Sequence, residues 1–175
     1  MLHWTGSLQF RALAIASVAG LFLAGQAQEE KPPEKAARVA IAIVVHPNSK
    51  VSDLSLRELR AILKLEKQFW PEGKRVLLFQ RPSKSPEGRV LLETVYNLTE
   101  EELRKAWVQK LFAGEIPAIP AVVRNRDGAI TAVKKNEGAI TVVLAGEVPE
   151  GVRLLAIDGK KPNEAGYPLV GKAAK

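Results

Sequence analysis

The chain has 175 residues, with 26 Lys and Arg against 19 Asp and Glu and a formal net charge of +7. It contains no cysteine, which excludes a disulfide framework, thiolate metal ligation and a lipidated N-terminal cysteine. A basic balance suits anionic partners in general, but no nucleic-acid motif with interleaved aromatics is present, so no nucleic-acid partner is expected.

Residues 12–24 form an apolar run preceded by Arg11 and followed by Gly25-Gln26-Ala27, small residues of the kind read by a signal peptidase. The pattern predicts a cleaved signal peptide over 1–27 and a periplasmic or otherwise exported protein. The run is shorter than the roughly 20 apolar residues a membrane-spanning helix requires. Residues 28–37 open on Gln-Glu-Glu-Lys-Pro-Pro-Glu-Lys, which is charged, proline-bearing and aperiodic, and therefore read as a flexible tether. A single domain is expected over 38–170, with a short tail over 171–175.

Val39 to Val45 is a continuous apolar run closed by His46-Pro47-Asn48, as expected of a strand buried on both faces. Shorter runs at Val76 to Gln80, Ala139 to Leu144 and Val152 to Ile157 read as further strands. Ser55-Leu56-Arg57-Glu58 has capping-box spacing ahead of Leu59, Ile62 and Leu63, and Thr99 with Glu102 repeats it ahead of Leu103, Trp107 and Leu111. Two more helices are expected, from about Pro86 to Tyr96 and from Asp127 to Lys135. Strands alternating with helices give an α/β class with a parallel or mixed sheet flanked by helices.

Between the strand ending at Gln80 and the helix starting at Pro86 lies the loop Arg81-Pro82-Ser83-Lys84-Ser85. Pro86 suits the first helical position and Ser85 the N-cap, and Gly88 replaces the Glu that would complete a capping box. Amide donors at that helix start, the Ser83 and Ser85 hydroxyls, Arg81 and Lys84 together make an anion site, with Arg81 able to offer bidentate hydrogen bonds to an oxyanion. The same residues also fit a plain cap with Arg81 on the surface. Trp70 and Trp107 adjoin apolar positions and read as core aromatics. His46 is the only histidine beyond the signal segment, so no metal centre and no cofactor are expected. Glu100 to Glu102 sit in a first helical turn, where acidic residues complement the macrodipole.

Val44 to Lys64, Phe69-Trp70-Pro71-Glu72-Gly73, Gly114-Glu115-Ile116-Pro117, Glu137-Gly138-Ala139-Ile140, Ile157-Asp158-Gly159 and Tyr167-Pro168-Leu169 follow one another in an order that resembles the substrate-binding subunit of phosphate ABC transporters. The resemblance covers roughly residues 39–170 and implies a single periplasmic-binding-protein-like lobe with a mixed, mostly parallel sheet. Complete members carry an Arg after a hydrophobic strand and then Ser-Gly-Thr. Arg81 and Ser85 hold the Arg and Ser positions, while Pro86 and Glu87 stand where the family has Gly and Thr. One backbone donor is thereby lost and a carboxylate is added, which repels phosphate unless Glu87 points away. The resemblance further implies that the chain carries about one of the two lobes that close over the ligand.

No nucleophile elbow, metal-ligand spacing or nucleotide-cradling glycine loop is present, and no enzymatic activity is expected. The leading expectation is an extracytoplasmic protein that binds phosphate or a similar small oxyanion through Arg81, Ser83 and Ser85. The alternative is an interaction or adaptor domain of the bacterial envelope that kept the fold and lost the ligand. Self-association would build the second wall that a single lobe lacks; the other course is use of the lobe as a docking module for an envelope or transporter protein.

Overall fold

The structure, a computed structural model, describes residues 38–172; the expected signal peptide and tether lie outside the described residues. In chain order the elements are β1 (Arg38–Val45), β2 (Asp53–Leu54), α1 (Leu56–Leu63), β3 (Leu77–Gln80), α2 (Pro86–Leu91) running into a π-helical turn (Leu92–Tyr96), and α3 (Glu100–Phe112). Then come β4 (Ala121–Val122), α4 (Arg126–Lys135), β5 (Ala139–Leu144), a 3-10 turn (Ala145–Glu147), β6 (Arg153–Leu154), β7 (Ala156–Ile157) and β8 (Val170–Lys172).

The apolar run of β1 is continuous because both of its faces are covered. Ile41, Ile43 and Val45 join the larger core with residues of α1, α2 and α3, whereas Ala42 and Val44 turn to a smaller cluster with Ile130 of α4 and Val143 of β5. Both edges of β1 are paired as well. Ile41 to Val45 run antiparallel to β5, Val44 and Val45 pair with β6, and Arg38 to Ala40 pair with β8. The main sheet has the order β4-β3-β5-β1-β6, with β8 also on β1. Pairing is parallel between β3 and β4 and between β3 and β5, so the sheet is mixed. β2 and β7 form a separate parallel pair. Helices flank the sheet on both sides, the α/β class that the alternation of strands and helices predicts.

The segment from Val152 to Ile157, expected as one strand, is divided. Arg153 and Leu154 pair with β1, Ala156 and Ile157 pair with β2, and the fully buried Leu155 crosses between the two sheets. The expected helix ending at Tyr96 keeps its end but widens over its last five residues, where the Thr94 hydroxyl donates to the Val90 carbonyl at 2.7 Å, and it stops at Asn97 with φ of 50°. A side chain that bonds the preceding turn in this way competes with the backbone ladder, and such wide turns occur inside otherwise regular helices. Strand β8 extends to Lys172, so the residues expected as a tail begin inside a ladder.

Both expected capping boxes form. Ser55 and Glu58 bond reciprocally at the start of α1, and Thr99 and Glu102 do so at the start of α3. The Glu102 carboxylate accepts from the Thr99 backbone N–H and hydroxyl, each at 2.8 Å, and these bonds hold its pKa below the ordinary value of 4.5. A depressed carboxylate pKa contributes stability that is present above the unfolded-state value and lost as pH falls through the folded-state value. Thr99→Ala should therefore lower the stability measured by urea unfolding at neutral pH, and the gap between variant and wild type should narrow as pH drops below 4.5. An unchanged gap at acid pH would refute the reciprocal cap.

Candidate functional site

Strand β3 delivers Gln80 and Arg81 to the end of the sheet, and the loop that follows turns back onto α2. Ser85 caps that helix, its Oγ accepting the Gly88 N–H at 3.1 Å. A glycine at position 88 is dictated by the loop. A Cβ placed there would lie 2.1 Å from the Pro82 carbonyl oxygen, too close for any side chain. The missing capping-box glutamate thus reflects a backbone approach between loop and helix.

Arg81 is almost wholly buried, with 6% of its surface exposed, and Glu87 is buried to the same degree at 4%. The Arg81 Nε lies 3.4 Å from Glu87 Oε1, and its Nη1 donates to the Val123 carbonyl at 2.7 Å. Two charges removed from water need each other, because the desolvation cost of either alone is several kcal/mol. Glu87 therefore turns toward the arginine, and the carboxylate sits on the group that an oxyanion ligand would engage. A guanidinium has five N–H donors, and two of those of Arg81 are used in these contacts.

Beside this pair opens a cleft of about 370 Å³. One wall is the loop from Gln80 to Lys84, a second is α3 through Glu100, Leu103, Arg104 and Trp107, and the third is the segment Ile119, Pro120, Val122 and Arg124 around β4. Lys84, Arg104 and Arg124 are exposed and have no ion-pair partner among the described residues. Glu100 is the one carboxylate of the lining. Trp107 is buried, meets Tyr96 edge to face at 6.0 Å between ring centroids, and leaves its indole N–H without a partner. The Gln80 side-chain oxygen is likewise buried and unpartnered. Burial pushes the Tyr96 phenol up, so it stays neutral beneath the cleft wall.

Of the three residues expected to hold an anion, Arg81 and Ser83 line this cleft, while Ser85 is engaged as the cap of α2. Arg104 and Arg124 are the additions that sequence reasoning did not single out. They lie 23 and 43 positions after Arg81 in an ordinary mixed-charge helix and in a short connection; packing of α3 through Leu103 and Trp107 brings Arg104 to the cleft, and pairing of β4 with β3 brings Arg124. Trp70 and Trp107 both pack in the core, the former donating its indole N–H to the Gly138 carbonyl at 2.8 Å.

The mixed sheet, its helices and the loop from β3 into α2 define a lobe of the periplasmic-binding-protein fold. Its likeness extends to solved phosphate-binding proteins. A Clostridium perfringens protein assigned as a phosphate ABC transporter substrate-binding protein, with bound phosphate, superposes with a TM-score of 0.62 at 20% identity, covering 78% of this chain and 54% of that one. An ABC-type phosphate transport receptor from Vibrio cholerae gives 0.61 at 18% identity over 77% and 54%. PstS from Borrelia burgdorferi gives 0.61 at 18% over 78% and 56%. The chain therefore spans about half the length of the structures it matches, and at these identities the likeness is one of fold. No family model matches the sequence, and no curated protein does.

Removing one member of a buried ion pair strands the other. Glu87→Ala should cost about 3 kcal/mol in urea unfolding, and Glu87→Gln, which keeps a hydrogen-bond acceptor for Arg81, should cost less. Equal and small losses in both variants would show that Arg81 does not depend on the carboxylate.

Proposed function

We propose that the chain is an extracytoplasmic, non-catalytic protein that binds a phosphate-like oxyanion in the cleft beside Arg81, with Arg81 and Ser83 at its inner end and Ser85 behind them as the cap of α2. The observation that carries this reading is the set of three cations, Lys84, Arg104 and Arg124, that line one cleft with no carboxylate partner among the described residues. Like charges gathered at one concavity repel one another, and an anion that enters relieves that repulsion. The fold shared with proteins whose names record phosphate transport supports the choice of ligand class. Export rests on the signal-peptide pattern over 1–27.

Because Glu87 already meets Arg81, the exposed cations contribute most of the attraction, and exposed ion pairs are salt-screened. Affinity should be modest and strongly salt-dependent. Calorimetric titration of residues 28–175 with inorganic phosphate at low ionic strength should give saturable heat that fades at high salt. Lys84→Ala, Arg104→Ala and Arg124→Ala should each weaken binding by up to about 1 kcal/mol without loss of folding, since all three side chains are exposed. Arg81→Ala should abolish binding but must be judged beside its unfolding curve, because it strands Glu87. Absence of heat with phosphate and sulfate alike would sink the reading.

The second reading, a docking module for an envelope or transporter protein or for another copy of the chain, draws on a different observation. Phe112, Val122 and Ile119 expose 87%, 60% and 40% of their surface, unusual for large apolar side chains, and the latter two stand on the rim of the same cleft. Silence in the titration, with specific retention of one envelope protein that Val122→Ser abolishes, would favour it.

A further inference from the structure

A tetrahedral oxyanion needs only a small part of a cleft of about 370 Å³, a volume within the range of sites that hold whole small organic molecules. The lining is also two-sided. Lys84, Arg104 and Arg124 supply charge, whereas Leu103, Trp107, Ile119, Pro120 and Val122 supply an apolar surface that an inorganic ion has no use for. Ile119 and Val122 remain largely exposed to water on that surface, and covering such groups is favourable in proportion to the apolar area removed from water. Trp107 contributes a ring to that apolar wall, its indole N–H buried and without an acceptor among the described residues.

We infer that the ligand of this cleft is an organic phosphomonoester, its phosphate held by Lys84, Arg104 and Arg124 and its apolar body laid against Leu103, Ile119, Pro120 and Val122. The inference rests on the reading of the cleft as an anion site and narrows the class of anion. It also accounts for how a helix start already occupied by the Glu87 carboxylate can belong to a phosphate-binding protein. The phosphate sits toward the exposed cations, and the free energy that a closed inorganic-phosphate site draws from many buried hydrogen bonds comes here partly from apolar contact.

Phenyl phosphate, inorganic phosphate and phenol are the probes, titrated into residues 28–175 at one low salt concentration. Phenyl phosphate should bind roughly tenfold more tightly than inorganic phosphate, the order expected when most of a phenyl ring leaves water, and phenol should not bind measurably. Ile119→Ser and Val122→Ser alter exposed side chains; they should remove most of that advantage while leaving inorganic phosphate unaffected. Phenyl phosphate should change the fluorescence of Trp107 in the cleft wall, and Trp107→Phe, which keeps an aromatic ring against Tyr96, should remove that change. Equal affinity for phenyl and inorganic phosphate would overturn the inference while leaving the oxyanion reading intact. Phenol binding as tightly as phenyl phosphate would also overturn it, since the cleft would then select for the ring alone. If no anion binds, the anion site itself fails, and that outcome differs from both.

Discussion

A guanidinium and a carboxylate buried together at the end of β3 constrain everything around them. Arg81 cannot leave Glu87 without exposing one charge to an environment that does not solvate it, and its second contact, to the Val123 carbonyl, fixes the segment after β4. Three pieces of chain meet at one side chain, two of them six residues apart and the third 42 residues beyond Arg81. The helix start, the strand end and the connection carrying Arg124 therefore hold a fixed relation, and the cleft between them keeps its shape. The close approach of Gly88 to the Pro82 carbonyl acts in the same direction, since it leaves no slack between loop and helix.

This arrangement separates two uses of positive charge. The buried arginine is matched by a charge of its own chain, whereas the exposed cations make no ion pair among the described residues and share their lining with one carboxylate, that of Glu100. Partition of this kind leaves the unpaired positive charge in the part of the cleft that water and salt reach.

Much of the fold was legible in the sequence because the signals were local. The both-sides-buried strand showed as an unbroken apolar run from Val39 to Val45, and the capping boxes at Ser55 and Thr99 showed as spacing. The loop from Arg81 to Ser85 was legible as a place where polar donors gather, and the resemblance to phosphate-binding subunits pointed to the same fold that superposition finds. What escaped was set by contacts between distant segments. Nothing in Ala121-Val122 marks a strand until β3 offers its edge, and nothing near Leu155 shows that the chain leaves one sheet for another. The orientation of Glu87 was open in the sequence, since a carboxylate at a helix start is ordinary; only the burial of Arg81 decides it. Arg104 and Arg124 carry no local signal that would single them out.

The ladder between β1 and β8 sets Arg38 opposite Lys172. The first and last described residues are thus neighbours, and the polypeptide enters and leaves the lobe at one spot on the sheet. A unit wired in this way can be threaded onto, or set within, another chain without its ends having to travel around the body. Its two ends could also be joined and new ones opened at an exposed loop tip with little change in the packed interior. In mechanical terms, a pull applied to both ends loads the β1–β8 ladder like a zipper, one hydrogen-bonded pair at a time, before it reaches the cleft.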